Sequence, residues 1–163
     1  MELIKKESVI ICYKNIDELP VEYKELLLAA KNATKTSYAP YSKFNVGCAL
    51  RLKNNVIISG SNQENIAYPS GLCAERVAIF YAGSQYPDIA ITHMAITAEA
   101  KDFDINKPVM SCGACLQSIS EYEVRFKQPI TMILQGQQGD IYVAEGTKTF
   151  MPFQFFVDEL KNK

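Results

Sequence analysis

Apolar and polar positions change period several times along the 163 residues. Ser8 to Tyr13 reads as a short lead-in strand. From Pro20 the apolar residues fall at helical spacing, with Tyr23, Leu26, Leu27, Ala30, Ala33 and Ser37 on one face. Tyr38-Ala39-Pro40-Tyr41-Ser42 ends that period. Asn45 to Leu52 and Val56 to Ser59 read as strands joined at Asn54-Asn55, a hairpin signal. A polar, irregular stretch follows to Gly71. Helical character returns at Cys73, with Val77, Ala78, Phe80 and Tyr81 apolar, and ends near Gly83. Ile89 to Ala98 is rich in β-branched residues and reads as a strand. After a loop holding Asp102, Asp104, Asn106 and Pro108, a second such helix runs from Cys112 to about Phe126. Ile130 to Leu134 and Ile141 to Ala144 read as strands joined through Gly136-Gln137-Gln138-Gly139, and a short helix is expected from about Gln154. Two strand-to-helix units imply parallel pairing in part of the sheet, while the first hairpin is antiparallel. The expected class is α/β, a mixed sheet with helices on both faces. No repeat or linker interrupts the pattern, so one domain over residues 1–163 is expected.

Composition narrows the function. The chain is 48% hydrophobic and 21% charged, which is ordinary for a globular protein. Its 17 basic and 18 acidic residues nearly cancel and form no run of one sign. That balance gives no footprint for a nucleic-acid backbone or an anionic membrane. Lys5, Lys6 and Glu7 stand where a signal peptide needs apolar residues, and the longest aliphatic run, Leu26 to Ala30, is too short for a membrane span. A cytoplasmic location is expected. Five cysteines (12, 48, 73, 112, 115) in such a chain point to metal or catalytic chemistry rather than a disulfide framework. Cys12 and Cys48 sit in apolar, strand-like contexts and are expected to be small buried hydrophobes.

Cys112 and Cys115 lie three apart at the start of one helix, so they share a face. Cys73 starts the other central helix. Helix N-termini that follow parallel strands gather at one edge of the sheet, where ligands bind. There the positive end of each helix dipole favours thiolate over thiol. Three protein ligands would leave a zinc ion its fourth, catalytic position. A redox pair, or a structural zinc site completed by Cys12, Cys48 or His93, fits the spacing equally. Glu75, in the first turn after Cys73, is placed to move a proton without occupying the metal, though a first-turn acid also simply stabilises a helix. Arg76, three positions from Cys73, is placed to offset the negative charge of three thiolates. His93, the one histidine, lies mid-strand and reads as a packed residue.

Longer segments carry a resemblance. Ala39 to Gly47 (APYSKFNVG), Asn62 to Asn65 (NQEN), Gly71 to Arg76 (GLCAER) and Cys112 to Cys115 (CGAC) are similar, in order, to the small homotetrameric zinc-dependent cytidine deaminases. The likeness runs from about Tyr38 to Phe156. It implies a three-layer α/β/α fold with a mixed, mostly five-stranded sheet, and residues 1–18 as an N-terminal extension. It implies one Zn2+ per chain on Cys73, Cys112 and Cys115, with Glu75 shuttling protons in the hydrolytic deamination of cytidine and deoxycytidine for pyrimidine salvage. Substrate contacts would come from Phe44, Asn62, Glu64 and the backbone of Ala74. Phe155 would reach in from an adjacent subunit, and Tyr68 would help form a neighbour's site. Residues i and i+2 of an extended segment point the same way, so Asn62 and Glu64 can grip one sugar hydroxyl as donor and acceptor. The apolar tail Phe150 to Phe156 suits a buried interface.

Two residues depart from the family pattern. Ser111 replaces the proline before Cys112, a structurally plausible change because serine can cap a helix; Leu116 replaces an arginine and removes a cation. These departures leave a catalytically silent zinc scaffold as a competing reading. Deamination of a related aminopyrimidine is another, although Asn62 and Glu64 favour a ribose.

Overall fold

The stretches of period two assemble into one six-stranded sheet. The computed structural model describes residues 1–157 and 160. Its strands are β1 (Ile11–Tyr13), β2 (Phe44–Leu52), β3 (Ile57–Ser61), β4 (Ile91–Ala100), β5 (Thr131–Gln135) and β6 (Ile141–Glu145). Its helices are α1 (Val21–Ala33), α2 (Ala74–Gln85) and α3 (Gly113–Phe126). The strand order is β1-β6-β5-β4-β2-β3. Only β4 and β5 pair in parallel, joined through α3; all other neighbours are antiparallel.

Side chains alternate across the sheet, and that alternation sorts the core into two halves. Cys48, Leu50, Met94, Ile96, Met132 and Leu134 face α2 and α3, where Ala78, Ile79, Leu116 and Ile119 meet them. Ala49, Ala95 and Ile133 face the other way, onto Leu26, Leu27 and Ala30 of α1. The outcome is the three-layer α/β/α arrangement. Because β2 is antiparallel to both β3 and β4, those two strands run the same way. The chain therefore leaves both at one sheet edge, and α2 and α3 begin at that edge. Gly60 lets α2 come close: a Cβ there would stand 2.7 Å from the Ala78 nitrogen and 2.9 Å from the Ala74 oxygen. The site's helix is thus seated tightly on β3.

Four details differ from expectation. The sheet has six strands rather than five, because the N-terminal extension adds β1 to the edge of β6. That strand is shorter than Ser8–Tyr13, since only Ile11, Cys12 and Tyr13 find partners on β6. Cys12 is exposed, not buried, with its Sγ 3.5 Å from Asp140 Oδ2; an edge strand has one side open to water. No helix forms over residues 154–157. There the Phe155 carbonyl accepts a hydrogen bond from Gln117 Nε2 at 3.1 Å instead of a helical N–H; positions 158–159 and 161–163 lie outside the described residues. His93 does pack as expected. Its ring lies 5.4 Å from that of Tyr23, Nδ1 bonds Thr92 Oγ1, and burial lowers its pKa. No helix among the described residues is long and apolar enough to cross a membrane.

Candidate active site

Both central helices have a cysteine at the N-cap, Cys73 for α2 and Cys112 for α3, and neither makes a side-chain capping bond. The uncapped first-turn N–H groups leave two positive helix ends side by side. Cys115, one turn into α3, is fully buried beneath them. The three sulfurs lie within 4.8 Å of one another, the one such group of potential metal ligands among the described residues. Sulfurs each about 2.3 Å from one tetrahedral ion stand roughly 3.8 Å apart, so the set fits a zinc ion with little adjustment. Hydrogen bonds from the Cys115 thiol, Arg76 and Cys112 pull the Cys73 thiol down to about 5. The same sharing, with burial, pushes Cys115 up. One sulfur already holds negative charge, and the cluster asks for a cation.

Arg76 meets that charge directly. Its Nη2 donates to Cys73 Sγ at 3.8 Å, and that hydrogen bond, with the charge of Cys73, raises the pKa of Arg76. Arg76→Gln is expected to weaken zinc retention about 10- to 100-fold, the usual cost of losing a group that hydrogen-bonds a ligand. Competition with a chromophoric chelator measures this, and an unchanged zinc affinity would reject the role.

Glu75 is 5% exposed and lies at the base of a cleft of about 780 Å³. Burial raises its pKa, and the charge of Cys73 adds to the rise. A carboxyl whose pKa is raised in this way is a better proton acceptor than one in water. Cys73, Arg76 and Cys112 line the same cleft. Its rim carries Phe44, Asn62 and Glu64, as expected, together with Tyr41, Gln63, Tyr68, Val109 and Met110.

The expected sugar pair is held in place by the chain itself. Asn62 Oδ1 accepts from Ser37 Oγ at 2.6 Å and from the Val46 nitrogen at 2.7 Å, while Nδ2 donates to the Phe44 carbonyl at 2.9 Å. An amide has a second N–H, which remains for a ligand. Glu64 Oε2 accepts from the Tyr41 and Ser42 nitrogens at 2.9 and 3.2 Å. Hydrogen bonds from Ser42 and Tyr41 hold its pKa low, so it stays ionised on the cleft lining. These bonds fix both side chains before any ligand arrives.

The remaining expectations divide. Ala74 is fully buried behind the lining. Phe155 is 73% exposed and does not line this chain's own cleft. Tyr68 is at this chain's rim, edge-on to Tyr41 at 6.1 Å. Ser111 does not cap α3: its Oγ is buried and has no hydrogen-bond partner of good geometry among the described residues. Leu116, in place of a cation, is 6% exposed and packs in the core facing the sheet. Cys48 is fully buried, and its thiol is pushed up by burial. Val109 and Met110 carry no sequence signal, because nothing in a loop's composition says that it returns to the cleft.

Fold and cleft define an α/β enzyme with a three-thiolate metal centre beside a buried carboxyl. The model of the cytidine and deoxycytidylate deaminase zinc-binding region matches residues 20–128, and the chain belongs to that family. It is 34% identical over 137 residues to the cytidine deaminase of Halalkalibacterium halodurans, covering 84% of this chain and 96% of that one. It is 40% identical over 102 residues to the Sporosarcina psychrophila cytidine deaminase, 63% of this chain and 71% of the relative. The crystal structure of cytidine deaminase from Burkholderia pseudomallei matches with a TM-score of 0.68 at 33% identity, over 80% of this chain and 97% of that one.

Proposed function

We propose that the chain hydrolyses the exocyclic amino group of cytidine and deoxycytidine, giving uridine or deoxyuridine and ammonia, in cytoplasmic pyrimidine salvage. The observation that carries this reading is one cleft lined by Cys73, Cys112 and the buried carboxyl of Glu75, with the Cys115 sulfur within 4.8 Å of the other two and the amide–carboxylate pair Asn62 and Glu64 on the same lining. Cys73, Cys112 and Cys115 would hold one zinc ion, whose Lewis acidity makes a water nucleophilic near neutral pH. Asn62 and Glu64 bind the sugar hydroxyls, and Phe44 lies against the sugar and base. Glu75 takes the proton of the attacking water, delivers it to N3 of the ring, and then helps the amino group leave as ammonia. The Ala74 backbone contacts the base. The same reading makes residues 1–163 one domain to which the extension contributes β1.

A nucleoside suits the lining better than a nucleotide. Arg76 is the one cation among the residues lining the cleft, and it is committed to Cys73, while Glu64 is an anion at the rim. A phosphate would meet like charge there. Cytidine and deoxycytidine are expected to react with kcat/KM values within about tenfold of each other, and deoxycytidylate at least about 100-fold more slowly. Initial rates by ultraviolet absorbance decide it; equal rates for nucleotide and nucleoside would reject this substrate class.

We further infer a homotetramer in which Phe155 of one subunit enters the neighbour's cleft. Supporting this, Phe153, Phe155 and Phe156 are all exposed on one short segment, an arrangement suited to burial against another chain. A monomeric mass by light scattering at assay concentration would contradict it.

A further inference from the structure

The connection from β4 to α3 reaches the cleft from two sides. Near its start, the Phe103 ring stacks on that of Phe44, with centroids 6.3 Å apart and planes 20° apart. Beside it Lys43 Nζ lies 3.4 Å from Asp102 Oδ2, an exposed pair that adds little by itself. At its far end, Val109 and Met110 line the cleft just before Cys112. The middle is fastened to the turn between β5 and β6. Gln138 Nε2 donates to Asn106 Oδ1 at 2.8 Å, and the Gln138 nitrogen donates to the Ile105 carbonyl at 3.4 Å. Gly136 allows the two segments to touch: a Cβ there would stand 2.3 Å from the Ile105 oxygen and 2.6 Å from that of Lys107. Thr97 Oγ1, on β4, donates to the Gly136 carbonyl at 2.8 Å and fixes that turn in its own place.

The connection is therefore a fixed frame, pinned at its centre and applied to the cleft at both ends. Phe103 is 58% exposed, so it does little for the core; its one ring contact among the described residues is Phe44. We propose that Phe103 is a positioning residue for the nucleoside: it backs the Phe44 ring and holds it against sugar and base, with the β5–β6 turn as its anchor. This rests on the nucleoside reading above. Phe103 itself does not line the cleft, whereas Glu75, Cys73 and Cys112 do. Losing the Phe44 contact loosens binding and leaves the chemical step alone.

The test uses the full-length, zinc-loaded chain. Phe103→Ala is expected to raise both the KM for cytidine and the Kd for uridine, measured by calorimetry, by about two- to tenfold, the range that an aromatic pair supports. Its kcat should stay within about twofold, the signature of binding lost equally from ground and transition states. Phe103→Tyr should restore both constants, and Asn106→Ala, on the anchoring side, should shift them in the same direction by less. Unchanged KM and Kd in Phe103→Ala, or a fall in kcat alone, would overturn the proposal. A wild-type chain that bound uridine without converting cytidine would overturn the activity instead, and the uridine comparison would still decide the role of Phe103.

Discussion

Replacing Glu75 with alanine is expected to leave zinc bound and to lower turnover of cytidine by more than about 10⁴-fold, beyond the usual loss of a single acid–base group. The excess follows from the number of proton transfers that one carboxyl serves: from water, to the ring nitrogen, and again as ammonia departs. The position of Glu75 supports this role. It lies two residues after Cys73 on the first turn of α2, 5% exposed, and its helix is seated tightly on β3 at Gly60. The carboxyl is not one of the three sulfur ligands, so zinc content should not change. Glu75→Gln separates shape from proton transfer, since it keeps size and one acceptor oxygen. It should be nearly as slow as alanine. Single-turnover rates together with elemental analysis of the same samples check both halves. A variant with near-normal turnover would remove Glu75 from the mechanism.

The second large effect is expected from Cys112→Ser. Serine is a good N-cap, so α3 should still form and the far-ultraviolet circular dichroism should stay that of the wild type. The zinc site should not survive, because a neutral hydroxyl is a far poorer ligand than a thiolate and only two cysteines remain. Bound zinc should fall below about 0.1 per chain and turnover to background, as for wild-type protein stripped by a chelator. Zinc that binds only the folded state also raises Tm, so the wild type should be stabilised by added zinc and Cys112→Ser should not. Full zinc occupancy in the variant would place the metal elsewhere.

The sequence made the metal residues legible for a physical reason. Cysteines at two helix starts, each following a strand, must meet if those strands run the same way, and β3 and β4 do. The core was legible in the same manner, since Met94, Ala95 and Ile96 alternate between two faces as period two requires. What escaped the sequence depends on contacts distant along the chain. Phe103 and Phe44 are 59 residues apart in number and meet only because β2 pairs with β4. Ser111 looked like a cap, yet Cys112 takes the N-cap position and the hydroxyl turns inward. The loss of a cation at Leu116 looked like a defect in the site. The structure turns that side chain into the core and leaves Arg76 to meet the sulfur charge. The short helix expected from about Gln154 does not form over residues 154–157, where Gln117 claims the Phe155 carbonyl.

The central claim is that the three thiols and Glu75 form one zinc-dependent site acting on a nucleoside. The most direct measurement takes zinc content and the loss of cytidine absorbance on a single sample of the purified chain. About one zinc per chain, as three thiolate ligands at one site require, with steady conversion to uridine that stops on chelation and returns with added zinc, is the predicted result. A chain that holds its zinc and converts neither cytidine nor deoxycytidine would contradict the account and make the fold a scaffold.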